Sequence, residues 1–303
     1  MSVPHPIPYQ GSKRNIADSI LAVFPSGINY LVEPFSGSAA ISIAAAYHKK
    51  AEYFYLNDIN KPLIRLLEQI INNPRKISDE YEDIWNSQKG IEKDFYLTTR
   101  NRFNETENSA CLLYLLARCV KASVRYNSKG EFNQSPDNRR LGKSPYNMRR
   151  DIFAVSKLLK GKTQLSCKDY KDILKHISKD DVVYLDPPYQ GVCQNRDSRY
   201  YNGIDFNELV LELKDLVYDN ISFILSYDGR RGNKSYGREL PKSLGLRRIE
   251  INAGRSTQAT LLGMNDITYE SVYLSPALIS RLQLNSNHLT DKLFNPITLS
   301  NYQ

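Results

Sequence analysis

The chain has 303 residues, of which 41% are hydrophobic and 24% charged, and its formal net charge at pH 7 is +8. This length suits one large α/β domain with or without a smaller insert, and the ordinary composition excludes a wholly disordered chain. No apolar run reaches the ~18 residues that a membrane helix needs. The N-terminal sequence MSVPHPIPYQGSKR lacks the apolar stretch of a signal peptide. We therefore expect a cytoplasmic protein.

The N-terminal part of the chain follows a strand–helix rhythm. An apolar run over residues 30–33 predicts a strand, and the Ala- and Ile-rich segment 39–47 predicts a helix. A second strand is expected over 52–56 and a second helix over 63–71, where apolar residues recur at helical spacing. The β-α-β-α order is typical of a parallel, doubly wound sheet.

This rhythm stops between Asn72 and about Arg150, where the sequence predicts no buried strand. A buried helix is expected over 110–117, and residues 126–133 resemble a hairpin with Lys129-Gly130 at its turn. We therefore predict a mainly helical insert that carries a β-hairpin.

The strand–helix rhythm then resumes. Strands are predicted over 163–167, 182–185, 221–225 and 267–274, the last as an antiparallel edge strand, and helices over 170–177 and from the N-cap Asp205 to Tyr218. The stretch from Ser275 is polar and suggests no chemistry. The expected division is thus a first half of the α/β core over 1–72, an insert over 73–154, and a second half with a polar C-terminal tail over 155–303.

Four cysteines, Cys111, Cys119, Cys167 and Cys193, form no C-x-x-C pair. Their spacing predicts reduced, structural thiols and no metal site.

Basic residues are concentrated between Arg118 and Arg150, a segment with nine Lys or Arg and two acids. Aromatic and amide side chains lie among these cations, which favours a nucleic-acid surface in which cations hold phosphates and the other groups contact bases. A solvated basic face is the alternative. The candidate DNA contacts are Arg118, Lys121, Arg125, Tyr126, Asn127, Lys129, Phe132, Asn133, Arg139, Arg140 and Lys143.

The segment from Glu33 to Ser38, E-P-F-S-G-S, follows the first predicted strand. The carboxyl ends of strands in open α/β sheets face the ligand crevice, and Gly37 lets a ligand approach the backbone. Because the segment is not G-x-G-x-x-G, a dinucleotide is not favoured. A purely structural turn between strand and helix fits the segment equally well.

Asp58 follows the second predicted strand, where an acid can accept both hydroxyls of a ribose. The alternative is an N-cap for the helix that begins near Asn60 and Lys61. The turn and the acid together favour a nucleoside ligand, and the lack of a phosphate-binding lysine motif argues against ATP.

The sequence Asp186-Pro187-Pro188-Tyr189 follows the buried strand over 182–185. The two prolines fix the backbone and remove two N–H donors, so the carbonyls and the Asp186 carboxylate form a cluster of acceptors suited to an exocyclic amino group. Such hydrogen bonds would draw adenine N6 toward tetrahedral geometry and prepare it to attack a methyl sulfonium. Tyr189 offers a ring on which an extruded base can stack. The alternative is a turn capped by Asp186.

These segments and their order resemble the Dam-like family of S-adenosylmethionine-dependent DNA adenine-N6 methyltransferases. In that family the cofactor motif comes first, the recognition insert second and the catalytic motif third. The resemblance identifies three cofactor segments. Tyr9 to Lys13 matches an N-terminal Y-x-G-x-K motif, Glu33 to Ser38 matches the turn that forms the methionine pocket, and Ser166 to Tyr170 matches, more weakly, a segment beside the cofactor adenine. The resemblance implies that Asp186, Pro187, Pro188 and Tyr189 are catalytic. It implies cofactor contacts at Tyr9, Gln10, Gly11, Lys13, Glu33, Pro34, Phe35, Ser36, Gly37, Ser38, Asp58, Asp169, Tyr170 and Asp186.

The resemblance implies a class I methyltransferase fold, S-adenosylmethionine without a metal, double-stranded DNA with a flipped adenine, and a restriction endonuclease as one conceivable partner. After Asn133 the chain reads Gln-Ser-Pro-Asp-Asn where the family often has a V-P-x-G continuation, so no recognition site is inferred. A DNA-binding module on an inactive scaffold, and a methyltransferase acting on cytosine N4 or on RNA, are the alternative functions.

Overall fold

The computed structural model of the chain describes residues 2–188, 204–231, 234–236, 238–255 and 267–284. Its strands are β1 (Ile28–Glu33), β2 (Ala51–Asn57), β3 (Thr163–Ser166), β4 (Val182–Leu185), β5 (Phe223–Arg231), β6 (Lys234–Tyr236), β7 (Arg247–Arg255) and β8 (Ile267–Leu274). Its α-helices are α1 (Ala17–Leu21), α2 (Ala40–Tyr47), α3 (Lys61–Asn72), α4 (Pro74–Ser87), α5 (Glu92–Thr106), α6 (Ser109–Arg118), α7 (Pro145–Leu159), α8 (Tyr170–Leu174), α9 (Phe206–Tyr218) and α10 (Pro276–Leu284).

The strands form one sheet in the order β3-β2-β1-β4-β5-β8-β7, with β6 paired to β5. Strands β1 to β5 pair in parallel, whereas β8 pairs antiparallel with both β5 and β7. The order reverses between β1 and β4, and a ligand crevice opens beyond the carboxyl ends of strands at such a point. Glu33 ends β1 and Asp186 directly follows β4, so the sheet brings the two motifs to one edge.

Helices cover both faces of the sheet. In β4, Val182 and Tyr184 face a core shared with α1 to α7, whereas Val183 and Leu185 face a second core formed with α8 and α9. Successive residues of a strand point to opposite faces, which is why this strand reads as a continuous apolar run when both faces are covered. The predicted α/β fold with a doubly wound, mostly parallel sheet is confirmed.

Helices α4 to α7 occupy the predicted insert, and the only β-pairing within the described part of this region is two isolated bridges. The insert packs on the core through α3, which contacts α6 and α7. Helix α7 runs from Pro145 to Leu159, so the expected boundary between residues 154 and 155 falls inside a helix.

Strand β8 is antiparallel, as predicted, but it is not at the edge of the sheet. The strand at that edge of the sheet is β7, which no sequence pattern predicted, and β3 forms the opposite edge. The β7 sequence RRIEINAGR carries four charges and one glycine, a composition that suits an edge strand because charged side chains there discourage pairing with other chains. Helix α10 likewise lies in a stretch that reads as polar tail, and Arg281 ties it to the carbonyls of Gly27 and Asp180.

Cys111, Cys119 and Cys167 are free thiols, the first two buried and the third exposed, and Cys193 lies outside the described residues. No helix in the described ranges combines the length and apolarity that crossing a membrane requires.

Candidate active site

A cavity of about 550 Å³ opens at the carboxyl ends of β1, β2 and β4. Every residue expected to contact the cofactor lines it, together with Pro187 and Pro188. Tyr189 lies outside the described residues. Several further residues line the cavity that were not predicted to contact the cofactor, namely Ser12, Ala40, Ile41, Ile59, Asn60, Lys168, Tyr184, Ile204, Asp205, Glu208 and Glu270.

The turn after β1 is held by its own acid and by a close aromatic contact. Glu33 is 2% exposed, and its Oε1 accepts a hydrogen bond of 2.7 Å from the backbone N–H of Ser42 in the first turn of α2. Burial raises the pKa of Glu33 to about 8, an effect that the bond from Ser42 opposes and the nearby Asp186 charge reinforces. Gly37 has φ +50°, and a Cβ there would lie 3.3 Å from the ring of Tyr9, so both conformation and space favour glycine.

Asp58 joins the turns that follow β1 and β2. Its Oδ2 accepts from the N–H of Gly37 and its Oδ1 from that of Asn60, each at 2.9 Å. Burial raises the pKa of Asp58, although these two N–H donors act against the shift. The N-cap of α3 is Asn60, whose side chain accepts from Leu63. The alternative interpretation of Asp58 as the N-cap is therefore wrong.

Asn57 is a structural position beside the cavity that was not predicted from the sequence. This fully buried amide donates to the carbonyls of Pro34 and Lys168, both at 3.0 Å, and accepts from the Ser166 hydroxyl and the Lys168 N–H. All four of its hydrogen-bonding positions are thus used, and they tie together the ends of β1, β2 and β3. An asparagine at the end of a predicted strand is the one signal that could have drawn attention to it.

The N-terminal segment reaches the catalytic motif directly. The Lys13 ammonium lies 2.8 Å from Oδ1 of Asp186 and 3.9 Å from Oε1 of Glu270. Lys13 is 8% exposed and Asp186 20%, so this ion pair is sheltered from water and weakly screened. Glu270 belongs to β8, outside the motifs that the sequence analysis recognised.

Acidic and aromatic groups in the cavity fit a nucleoside that carries positive charge. Glu33, Asp58, Asp169 and Asp186 supply carboxylates, and the rings of Phe35 and Tyr170, 5.0 Å apart between centroids, supply apolar surface. The buried hydroxyl of Ser36, in the same turn, has no hydrogen-bond partner. Within the described ranges, no cluster of His, Cys, Asp or Glu is suited to hold a metal ion.

The hairpin of the insert forms as predicted. Tyr126 pairs with Phe132, and the N–H of Asn127 donates to the carbonyl of Glu131 at 2.9 Å. The side chain of Asn127 accepts from the N–H groups of Lys129 and Glu131, which holds the tip in shape. Asn133 and Lys129 are exposed on this hairpin.

Two predicted base contacts on the hairpin are buried instead. Phe132 is 1% exposed and packs edge-on against Phe103 at 6.0 Å between centroids. Tyr126 is 6% exposed, lines the cofactor cavity, and lies 3.3 Å from Oδ1 of Asn60 through its hydroxyl. This burial contradicts their expected place on a DNA-facing surface, because alternate residues of the hairpin face the protein.

Burial also divides the predicted cations. Lys121, Arg125, Lys129, Arg139 and Arg140 are exposed. Arg118 is only 2% exposed and donates to the carbonyl of Asp137, whereas Lys143 pairs with Asp151 and donates to the carbonyl of His5. Burial therefore argues against Arg118 as part of the open basic surface. The half-buried Lys143 stays a predicted DNA contact.

Comparison with known proteins identifies one family. Residues 9–257 match the family described as D12 class N6 adenine-specific DNA methyltransferase. The DNA N-6-adenine-methyltransferase of Escherichia phage P1 is 28% identical over 206 residues, 65% of this chain and 26% of that protein. The DNA adenine methylase of Haemophilus influenzae is 29% identical over 204 residues, 65% of this chain and 68% of that protein.

A third relative is likewise much longer than the region that matches it. The Type II methyltransferase M.FokI of Planomicrobium okeanokoites is 24% identical over 245 residues, 75% of this chain and 36% of that protein. The chain thus spans about a quarter of the phage P1 relative and about a third of M.FokI. Among solved structures, the rRNA methyltransferase aviRa from Streptomyces viridochromogenes has a TM-score of 0.37 and 12% identity, covering 90% of this chain and 86% of that chain, a likeness too weak to carry an argument.

Proposed function

The chain belongs to the D12 class N6 adenine-specific DNA methyltransferase family, and on this basis we propose that it transfers a methyl group from S-adenosylmethionine to N6 of adenine in double-stranded DNA. The observation that carries the proposal is the ion pair of 2.8 Å between Lys13 and Asp186. It joins the N-terminal cofactor segment to the catalytic motif within one cavity.

Asp186 is the residue that prepares the nucleophile. The lone pair of adenine N6 is delocalised into the ring, so N6 is a poor nucleophile in the free base. Hydrogen bonds from its two N–H groups to the Asp186 carboxylate and a proline carbonyl localise that lone pair. When bound, S-adenosylmethionine supplies an electrophilic methyl group on a positively charged sulfur. The N6–C bond would form as the S–C bond of the cofactor broke, with S-adenosylhomocysteine leaving. N6 would then give up one proton, which Asp186 would accept and pass to water.

The remaining groups of the cavity bind the cofactor. We assign the ribose hydroxyls to Asp58, because a half-buried carboxylate with one N–H donor on each oxygen keeps a further lone pair on each for a ligand. The rings of Phe35 and Tyr170 would pack on apolar parts of the cofactor. Asp186 would attract its positive charges, and a cation bound beside Glu33 would favour the ionised form of that carboxyl, whose pKa is about 8 in the cofactor-free protein.

DNA would approach over the exposed hairpin. Asn127 and Asn133 are suited to contact bases, while Lys121, Lys129 and Arg139 would hold phosphates. The target adenine must leave the helix to reach the cavity, at a cost of a few kcal/mol. Stacking on Tyr189 would offset part of that cost, since base–aromatic stacking contributes ~1–3 kcal/mol. A restriction endonuclease of the same system is a further proposed partner, since relatives include Type II methyltransferases.

Expression in a host without DNA methylation, followed by analysis of modified nucleosides in DNA and in RNA, tests the proposal. We expect N6-methyladenine in DNA and no modification in RNA. N4-methylcytosine, or modification confined to RNA, would show a different substrate, and no modification beside intact DNA binding would indicate an inactive scaffold. Sequencing of the modified positions in the same sample reports the recognition site.

A further inference from the structure

Arg118 has the largest fully buried side chain of the described residues, and the residue is 2% exposed. One of its terminal nitrogens donates to the carbonyl of Asp137 at 2.9 Å, and its Nε has no hydrogen-bond partner among the described residues. No ion pair within 4.0 Å is found between Arg118 and a carboxylate of the described residues, and Glu92 is an acid near enough to interact with its charge. An arginine is charged at every physiological pH, and a buried charge without an opposite partner is costly.

This residue lines a second cavity, of about 450 Å³, in the helical insert. The cavity is lined by four cations and one acid, together with an amide and an apolar side chain: Lys93, Arg118, Arg139, Arg140, Glu92, Asn138 and Leu141. Glu92 offsets one of these four positive charges. Its carboxylate accepts from the backbone N–H of Gly90 at 3.0 Å, and hydrogen bonds from backbone N–H groups, with a smaller contribution from the Arg118 charge, hold its pKa below the usual value. The cavity therefore holds an excess of positive charge, one member of which is buried.

Backbone dipoles add to this charge. Glu92 and Lys93 are the first two residues of α5, a helix of 15 residues. The N–H groups at the start of a helix lack intrahelical partners, and the helix dipole places partial positive charge there. The first-turn acids Glu92 and Asp94 offset part of this charge. A buried guanidinium and a helix N-terminus that meet in one cavity are together suited to an anion, and above all to a phosphate.

We propose that this cavity binds a phosphate group, and that the phosphate belongs to the DNA backbone. The inference rests on the proposed function, since it takes DNA to be the substrate. The chain supplies the link between the cavity and the hairpin. Cys119 pairs with Pro136, the N–H of Asp137 donates to the carbonyl of Arg118 at 2.7 Å, and the pairing continues to the bridge between Tyr126 and Phe132. A phosphate in the cavity would fix the base of the same ladder whose tip contacts bases.

The test uses the full-length protein and two substituted forms. The double variant Arg139→Ala/Arg140→Ala removes two cavity cations that are exposed, so the fold should be preserved. Arg75→Ala on α4 is the matched control, because it also removes an exposed cation but does not line the cavity. Inorganic phosphate is titrated at constant ionic strength, with chloride as the balancing anion, and thermal unfolding reports binding. Affinity for a mixed-sequence DNA duplex is then measured against salt concentration.

We expect phosphate to raise the Tm of the wild type and of Arg75→Ala more than chloride does, and the double variant to bind phosphate roughly tenfold or more weakly. The salt slope of DNA binding should fall by about 1 for each DNA phosphate that the variant no longer holds. Loss of the phosphate effect with an unchanged DNA slope would overturn the DNA assignment and leave free phosphate as the ligand.

Equal effects of phosphate and chloride on the wild type would overturn the site altogether. Arg118→Met provides an independent reading, because it removes the buried charge and keeps much of the side-chain volume. It should abolish the phosphate effect even if removal of an unpaired charge makes the protein more stable, and a retained phosphate effect in a folded Arg118→Met protein would contradict the proposal. Since the phosphate titration requires no methyl transfer, its outcome is independent of whether the enzyme is active.

Discussion

Lys13 and Asp186, separated by 173 residues in the chain, form an ion pair of 2.8 Å in the cavity. Lys13 is 8% exposed, so water screens the ion pair only weakly. The ammonium can therefore hold the carboxylate of Asp186 in place. Lys13 also lies 3.4 Å from the carbonyl of Gly11, which connects the Asp186 carboxylate to the backbone of the N-terminal segment.

Replacement of Lys13 by Met should therefore lower the rate of methyl transfer. Loss of a charge-assisted hydrogen bond costs about 1.5–3 kcal/mol, which corresponds to roughly 10- to 100-fold in rate. Lys13→Arg keeps the charge and should retain more activity. Single-turnover kinetics with saturating cofactor separates this effect from cofactor affinity. If Lys13→Met matches the wild type under those conditions, Lys13 does not position Asp186.

Glu33 makes stability depend on pH. Its pKa is raised from 4.5 to about 8 in the folded protein, so between these values the folded state binds more protons than the unfolded chain. The stabilisation from Glu33 is complete below pH 4.5 and is lost as pH rises through about 8. We expect the cofactor-free wild type to lose stability across this window relative to Glu33→Gln, whose amide oxygen can still accept from Ser42. Parallel pH profiles for the two proteins, measured by urea unfolding, would contradict the raised pKa.

Asp58→Ala should weaken cofactor binding more than DNA binding. The substitution removes a carboxylate assigned to the ribose hydroxyls, and each such charge-assisted bond contributes about 1.5–3 kcal/mol. It also frees the N–H groups of Gly37 and Asn60, so Asp58→Asn, which can keep one acceptor, serves as the control. Calorimetry with S-adenosylmethionine measures the loss. An unchanged affinity in Asp58→Ala would leave Asp58 a purely structural link between two turns.

Phe132 and its neighbour Asn133 should have opposite roles. Phe132 is buried against Phe103, and truncation of a buried phenylalanine costs about 3–5 kcal/mol, so Phe132→Ala should lose stability. Asn133 is exposed, so Asn133→Ala should keep its stability and lose DNA affinity. Urea unfolding and DNA binding of both variants give the comparison. A stable Phe132→Ala protein that binds DNA poorly would return Phe132 to the DNA surface.

Local sequence patterns were sufficient to predict most of the core. The strand over 182–185 has an apolar run and a proline stop, and the N-cap of α9 has an Asp that accepts from Asn207 and Glu208. The motifs also follow strand ends, and the parallel sheet then brings such ends to one edge. This is why the order of the motifs, together with the family resemblance, predicted Glu33, Asp58 and Asp186 in one site.

Features that depend on long-range packing could not be predicted. Burial of Tyr126, Phe132 and Arg118 is set by helices of the insert, and a cation among aromatics reads the same in sequence whether it faces DNA or the interior. Glu270 comes near Lys13 only because β8 inserts between β5 and β7, and the order of strands is not visible in their local pattern.

The most direct test is methyl transfer to an adenine-containing duplex by the wild type and by Asp186→Ala, with labelled S-adenosylmethionine and the modified nucleoside identified. Removal of an acceptor aimed at developing charge costs on the order of 10²–10³ in rate. We predict N6-methyladenine from the wild type and at least that loss in an Asp186→Ala protein that is folded and still binds DNA. Near-wild-type formation of N6-methyladenine by folded Asp186→Ala would contradict the proposed role of this carboxylate.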